Sequence, residues 1–240
     1  MKKIIKLLSV ILSLIILISS FTIVSQAEGI NYKNYKGYVY TKVSGIEIKN
    51  YTGKKKSITV PKKIEKKEVK EVILGKKTKV TSAVLPEYAT YIRVSQAPNL
   101  KKISIDKNNS KFKVKNNLLL NKKGDKLRSA PGGLKTVKLP KCVTIIYHQG
   151  FAGAKVEKVV LGANFEKFDT YAFYKCKKLK TIVVNSETKT PRISKQAFED
   201  VTNTVNFYVK NKKIAKTLRK RLNSNGPEKF KVYVGSKLYK

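Results

Sequence analysis

A short phrase that returns at a nearly constant spacing constrains the fold of this chain more than any other feature. It reads apolar-x-x-apolar-x-apolar, and its three best copies begin at Leu134, Val156 and Leu179. The copies are VKEVILG at 69–75, which is faint, VTSAVLP at 80–86, LKKISID at 100–106, LKTVKLP at 134–140, VEKVVLG at 156–162 and LKTIVVN at 179–185. One such unit cannot bury its own apolar face, so several must stack. The repeat therefore predicts a solenoid of short strands.

An aromatic residue returns after each of the later copies of the phrase. Phe151, Phe173 and Phe198 lie in GFAGA, AFYKC and AFEDV, and they recur at nearly the same interval as the phrase itself. Because side chains alternate along a strand, the apolar positions of each phrase point to one side, and we expect the aromatic residue to fill the same interior on the return leg. One continuous interior is predicted for Leu134, Val137, Leu139, Phe151, Val156, Val159, Leu161, Phe173, Leu179, Ile182 and Val184.

The repeat resembles that of the BspA-like (Treponema pallidum-type) leucine-rich-repeat surface proteins of bacteria. The repeat of that family looks like L-x-x-I-x-I-P-x-x-V-x-x-I-G-x-x-A-F-x-x-C. LKTVKLPKCVTIIYHQGFAGA at 134–154 is similar to it and departs from it at Tyr147, Gly150 and Ala154. The resemblance implies a mostly β leucine-rich-repeat solenoid with a period of about 22–25 residues. It also implies a non-catalytic role in adhesion or protein interaction.

Two further stretches resemble parts of the same family. Residues 108–133, which begin NNSKFKV, are similar to its inserted hairpin, in which an asparagine-led turn comes first. Residues 37–64, which begin GYVYTKV, are similar to its opening hairpins. The predicted organisation is a signal peptide at 1–27, an N-terminal lead at 28–36, the solenoid at 37–209 and a C-terminal cap at 210–240.

The C-terminal segment departs from the repeat. Ile214, Leu218 and Leu222 lie four positions apart, which predicts a helix with Asn211 as its N-cap and the NSNGP stretch at 223–227 as its stop. KFKVYVG then predicts a final strand. A helix and a strand with a basic outer side would close the end of the stack.

The segment 1–27 has the three parts of a secretory signal. Lys2, Lys3 and Lys6 precede an uncharged run at 7–24, and Ser25-Gln26-Ala27 offers small residues for cleavage. We expect cleavage after Ala27, no membrane span afterwards, and a secreted protein that can be retained non-covalently on the cell wall. An uncleaved membrane anchor is the alternative, because the length of the uncharged run is at the lower limit for a span.

The chain is a polycation. Lys and Arg number 53 against 15 Asp and Glu, for a net charge of +38, and loss of residues 1–27 would leave +35. The only arginines are Arg93, Arg128, Arg192, Arg219 and Arg221. Readers of nucleic-acid sequence depend on the planar arginine fork, so sequence-specific nucleic-acid binding is not expected. Whether the charge serves a partner, or reflects composition and solubility alone, stays open.

Residues suited to catalysis, metal binding or cofactor binding are few. His148 is the one histidine, and we interpret it as a structural residue. Cys142 and Cys176 lack partners at metal-ligand spacing; a disulfide between them is an open alternative, and Cys176 is interpreted as a small buried apolar residue. No glycine-rich loop leads from a strand into a helix. The sequence therefore predicts no enzyme activity, no cofactor and no metal.

Strand alternation also predicts where a partner would bind. The third and fifth positions of each phrase point away from the interior. Together with the second positions they are expected to form a basic stripe of Lys101, Lys102, Lys135, Lys138, Lys158 and Lys180. The expected partner is an extracellular or host-surface protein. The alternative is an anionic polymer, namely cell-wall teichoic acid, capsule, another glycan or extracellular nucleic acid.

Overall fold

The computed structural model describes residues 31–43 and 45–240. Residues 34–240 form one compact unit. The predicted signal peptide at 1–27 lies outside the described residues, so its cleavage stays a prediction. Within the described residues, no helix is long and apolar enough to cross a membrane.

The described residues form 21 short strands and one long helix. In chain order these are β1 (Lys33–Tyr35), β2 (Tyr38–Thr41), β3 (Ile46–Tyr51), β4 (Ser57–Thr59), β5 (Lys63–Ile64), β6 (Lys67–Ile73), β7 (Ser82–Leu85), β8 (Tyr91–Arg93), β9 (Lys102–Ile105), β10 (Phe112–Lys115), β11 (Leu118–Asn121), β12 (Lys126–Ser129), β13 (Thr136–Lys138), β14 (Ile145–Ile146), β15 (Lys158–Leu161), β16 (Lys167–Phe168), β17 (Thr181–Val184), β18 (Arg192–Ile193), β19 (Val205–Val209), α1 (Lys212–Asn225), β20 (Phe230–Val234) and β21 (Lys237–Leu238). The lead predicted for 28–36 thus contains a strand, β1.

The strands that carry the recurring phrase form two sheets, which we call the front sheets. The small front sheet has the order β4–β7–β9, and the main front sheet has the order β13–β15–β17–β19–β20–β21. All their pairs are parallel except β20 with β21. Each successive coil of the chain therefore adds one strand, as the leucine-rich-repeat solenoid predicted from the sequence requires.

Two back sheets run along the return leg of the coils. The main back sheet has the order β10–β11–β12–β14–β16–β18. The small back sheet has the order β1–β2–β3–β6–β5, with β8 also paired to β6. The copy VKEVILG at 69–75 lies largely in β6, which pairs with β3 and β8 in the small back sheet. This faint copy of the phrase therefore lies in a back sheet, unlike the other copies, and its Val69 and Val72 are buried there.

The predicted interior is confirmed, with Leu134 partly buried at its margin and the other ten residues fully buried. The rings of the return leg stack inside it: Phe173 lies 5.2 Å from Phe198 at an interplanar angle of 11°. The apolar core is nevertheless divided into two clusters. One contains buried residues from Tyr38 to Leu119, and the other contains buried residues from Leu118 to Val232. We call the boundary between them the seam.

An antiparallel hairpin of β10 and β11 lies within the segment 108–133 and meets the seam. Asn109 is completely buried; its Oδ1 accepts from the backbone N–H groups of Lys111 and Phe112, and its Nδ2 donates to the carbonyl oxygens of Pro86, Glu87 and Ala89. Strands β10 and β11 then pair in antiparallel fashion. The amide of Asn109 thereby joins the hairpin to the coil before it.

The C-terminal cap has the predicted form. The N-cap Asn211 accepts a hydrogen bond of 3.0 Å from the backbone N–H of Ile214, which satisfies one of the free donors at a helix start. Helix α1 buries Ile214, Ala215, Leu218 and Leu222 and ends before Gly226. The final strand is β20, followed by the two-residue β21.

Candidate interaction surfaces

The solvent face of the main front sheet carries two parallel rows of side chains, fixed by strand register. The first outer row is Thr136, Lys158, Thr181, Asn206 and Lys231. The second outer row is Lys138, Val160, Val183, Tyr208 and Tyr233. Neighbouring strands lie about 4.8 Å apart, so each row is a continuous line of contacts.

The predicted stripe lysines are all exposed, but the structure divides them between the two front sheets. Lys102 lies in the small front sheet, opposite Ser82, and Lys101 directly precedes it. In the main front sheet Lys138 pairs with Val160 and Lys158 pairs with Thr136. These two lysines are therefore diagonal neighbours. Lys135 and Lys180 lie just before their strands, and Lys135 is 4.0 Å from the carboxylate of Glu157.

The second outer row becomes apolar and aromatic toward the C-terminal end. The rings of Tyr208 and Tyr233 are stacked, with centroids 4.9 Å apart and an interplanar angle of 15°. Leu238 of β21 lies opposite Tyr233 of β20 and is 47% exposed. The fifth positions of the phrase predict Lys138, Val160 and Val183 on this face, but not Tyr208 and Tyr233, because β19 and β20 lie beyond the last copy of the phrase. The alternation in NFYVK and KFKVYV was the available signal.

A second basic surface lies beside the turns that carry Phe151 and Phe173. Lysines from three separate segments line a groove of about 530 Å³, together with Gln96 and Tyr174. They are Lys76, Lys155, Lys175, Lys177 and Lys178. We call this the basic groove. The repeat pattern does not predict this groove, because the three segments are far apart in the chain and only its coiling brings them together.

The residues considered for chemistry are placed apart. His148 is exposed, and its ring contacts that of Tyr171 edge-on at 5.7 Å. Cys142 is exposed and Cys176 is buried, and both are free thiols. The Cys176 thiol donates to the carbonyl oxygen of Phe151, and burial raises its pKa to about 12, so Cys176 is the buried apolar residue predicted. Among the described residues, no group of three or more His, Cys, Asp or Glu could hold a metal.

Three solved structures are similar to this chain. The crystal structure of a leucine-rich repeat protein from Eubacterium ventriosum is 27% identical over 56% of this chain and 38% of that one, with a TM-score of 0.44. The pneumococcal vaccine antigen PcpA is 14% identical over 79% of this chain and 71% of that one, with a TM-score of 0.35. A leucine rich cell surface protein from Faecalibacterium prausnitzii is 15% identical over 75% of this chain and 60% of that one, with a TM-score of 0.38.

The chain spans 38% of the length of the Eubacterium ventriosum protein. None of the curated proteins matches it. The family model described as BspA type leucine rich repeat region matches residues 130–222 in six copies. These are the residues in which the front and back strands alternate most regularly, and the resemblance drawn from the repeat is confirmed. Residues 130–222 therefore form a leucine-rich-repeat region of the BspA type.

Proposed function

We propose that this protein is a non-catalytic interaction module, exported to the cell surface or the medium, that binds an acidic protein through the solvent face of its main front sheet. The observation that carries the proposal is the second outer row, in which half-buried apolar residues and a stacked tyrosine pair follow Lys138 without interruption. Tyrosine is enriched where protein interfaces gain most of their binding energy. A surface that served only to hold a charged polymer would not need this row.

The charges around the row favour an acidic partner. Lys158 and Lys231 belong to the first outer row, and Lys135 and Lys180 lie at its edge. Among the second positions of the recurring phrases in this sheet, Glu157 is the one acidic residue. Its carboxylate lies 4.0 Å from Nζ of Lys135. Complementary charge speeds association and selects the partner, while the apolar row supplies affinity that survives moderate salt.

Binding to immobilised fibronectin and laminin, two acidic extracellular proteins, would be measured at low and at moderate salt. Tyr208→Ala with Tyr233→Ala should weaken binding at both salt concentrations, and Lys138→Glu with Lys158→Glu should weaken it mainly at low salt. The matched control is Lys55→Glu with Lys66→Glu, which makes the same change in net charge at exposed positions of the N-terminal half. Equal losses in the two lysine variants, or no effect of the tyrosine variant, would contradict the proposal.

The basic groove supports a second candidate function, retention on an anionic polymer. Five lysines from three segments surround one groove, and binding that depends on many phosphates falls steeply with salt. Lys177→Glu with Lys178→Glu should then release the protein from lipoteichoic acid, while Lys55→Glu with Lys66→Glu should not. Equal release by both variants would leave only diffuse charge.

A further inference from the structure

A cleft of about 260 Å³ opens on the back of the molecule at the seam. Here β8, the last strand of the small back sheet, lies beside β12 of the main back sheet, and the two belong to different sheets. The cleft is lined by Tyr91, Ile92, Arg93, Arg128, Tyr147, His148 and Gln149. Two of the five arginines in this lysine-rich chain therefore line one small cleft.

A hydrogen bond from a backbone N–H to a serine hydroxyl crosses the seam and holds these two arginines on adjacent strands. The N–H of Val94 donates to the Oγ of Ser129 at 3.0 Å, and the residues directly before this pair are Arg93 and Arg128. Both Val94 and Ser129 are completely buried. The spacing of the two arginine backbones is thus set by a buried hydrogen bond and not by a flexible loop.

Each guanidinium is oriented by an uncharged neighbour. Arg128 lies over the ring of Tyr147, with its Cζ 3.9 Å from the ring centroid, which leaves the N–H groups at its edge free to bind. Arg93 donates from Nη1 to the amide oxygen of Gln149. Its Nε is the one buried side-chain nitrogen or oxygen without a hydrogen-bond partner in the described part of the chain. A buried donor of this kind calls for a bound water or ligand nearby.

No carboxylate of the described residues neutralises this cleft. Neither arginine takes part in an ion pair with them, and no acidic residue lines the cleft. Glu71 lies beside Tyr91 in register, but its carboxylate is 2.6 Å from Nζ of Lys49. Asp169 follows β16 on the other side and is 3.0 Å from Nζ of Lys167. The cleft is left with two unneutralised planar cations.

We propose that this cleft binds a carboxylate carried on a sugar ring, that is, a uronic acid residue of an acidic glycan. Two guanidinium forks match the two oxygens of a carboxylate better than lysines do. Tyr91 is 37% exposed at the cleft and is among the few exposed large apolar side chains of the described residues. The negative face of an aromatic ring attracts the C–H groups of a sugar face, and the cleft has room for about one ring.

The site is distinct from the front face and from the basic groove, so its test is independent of both. Binding of glucuronate to the full chain would be measured by isothermal titration calorimetry, with glucose and inorganic phosphate as comparison ligands. The decisive variant is Arg93→Lys with Arg128→Lys, because it keeps the net charge and removes both forks. It should weaken glucuronate binding by roughly tenfold or more. Glucose should bind negligibly, and phosphate more weakly than glucuronate.

The matched control is Arg192→Lys, at an exposed position of the main back sheet outside the cleft. It should leave glucuronate binding unchanged. Tyr91→Ala, at an exposed position that leaves the core intact, should weaken binding of glucuronate but not of phosphate, and it provides a second test if the double variant is unstable. Unchanged binding in both the arginine and the tyrosine variants would overturn the site. Phosphate binding as tightly as glucuronate would overturn its assignment to an acidic sugar.

Discussion

The rings of Phe151 and Phe173 lie almost parallel, with centroids 5.0 Å apart and an interplanar angle of 7°. They belong to consecutive coils, and the spacing matches the distance of about 4.8 Å between the strands of those coils. The rings inside the solenoid are thus stacked at nearly the same spacing as the hydrogen-bonded strands of its sheets. Both rings are completely buried.

Replacing Phe173 by alanine should reduce the free energy of unfolding by about 3–5 kcal/mol, because a buried aromatic ring is lost and a cavity remains. Phe173 stacks on Phe151 and on Phe198, so the cavity would interrupt this stack of three rings in its middle. Urea unfolding followed by circular dichroism measures the effect. Tyr174→Ala, at the next, partly exposed residue, should cost much less, and equal stability of Phe173→Ala and the parent would contradict the packing.

Gly132 should tolerate no side chain, because the chain passes too close to the preceding coil there. A Cβ at this position would collide with the carbonyl oxygen of Ser95 and lie 2.7 Å from that of Ala97. Backbone cannot yield as a flexible side chain can, so Gly132→Ala should destabilise the protein by about 3 kcal/mol. In Gly162→Ala the nearest atom would be 3.5 Å away. Thermal melting should show no comparable loss for that control.

Asn109→Asp should make stability depend on pH. The change places a carboxylate oxygen against the carbonyl oxygens of Pro86, Glu87 and Ala89, where Nδ2 now donates. This environment favours the protonated acid, so its pKa in the folded state should rise above the unfolded value. The variant should then be closest to the parent in stability below pH of about 4 and fall behind as pH rises to about 7.

The measurement is urea unfolding of both proteins at several pH values. Asn108→Asp, at the exposed neighbouring position, provides the control and should show only a small, nearly constant difference. A constant difference for Asn109→Asp as well would show that its amide does not hold the hairpin to the preceding coil.

The two thiols should differ sharply in reactivity. Cys142 is exposed, whereas Cys176 is buried and burial raises its pKa to about 12. Only the thiolate reacts with alkylating agents. Iodoacetamide at mildly alkaline pH should modify one cysteine in the native protein and both after unfolding, as counted by mass spectrometry. Cys142→Ser should remain unmodified while folded, and rapid labelling of that variant would contradict the buried position of Cys176.

The sequence was sufficient to predict the interior of the later coils, because a nearly constant period and strict alternation together fix which side chains point inward. Phe151, Phe173 and the apolar positions of the phrases follow directly. The same alternation could not separate front strands from back strands. Val69 and Val72 in VKEVILG have the spacing of a front strand but are buried from the back sheet.

The surfaces were harder to predict, since they depend on register and on which coils are neighbours. Lys138 and Lys158 lie on one face as expected, but register places Val160 and Thr136 opposite them. Arg93 and Arg128 are separated in sequence by an inserted hairpin, and nothing in the spacing of the repeat shows that their strands become adjacent. Buried contacts across the seam, such as the hydrogen bond from Val94 to Ser129, place the two arginines side by side.

The short strand β21 has a consequence for how the molecule behaves in concentrated solution. A stack of parallel strands presents the free N–H and C=O groups of its last strand as a template for another chain. Here Tyr233 and Val234 of β20 are paired by β21, and the N–H of Tyr239 donates to the carbonyl oxygen of Val232 at 2.8 Å. A two-residue strand running the opposite way, with exposed Lys237, is a poor template in turn. The cap thus blunts the edge through which solenoids could otherwise join end to end into filaments.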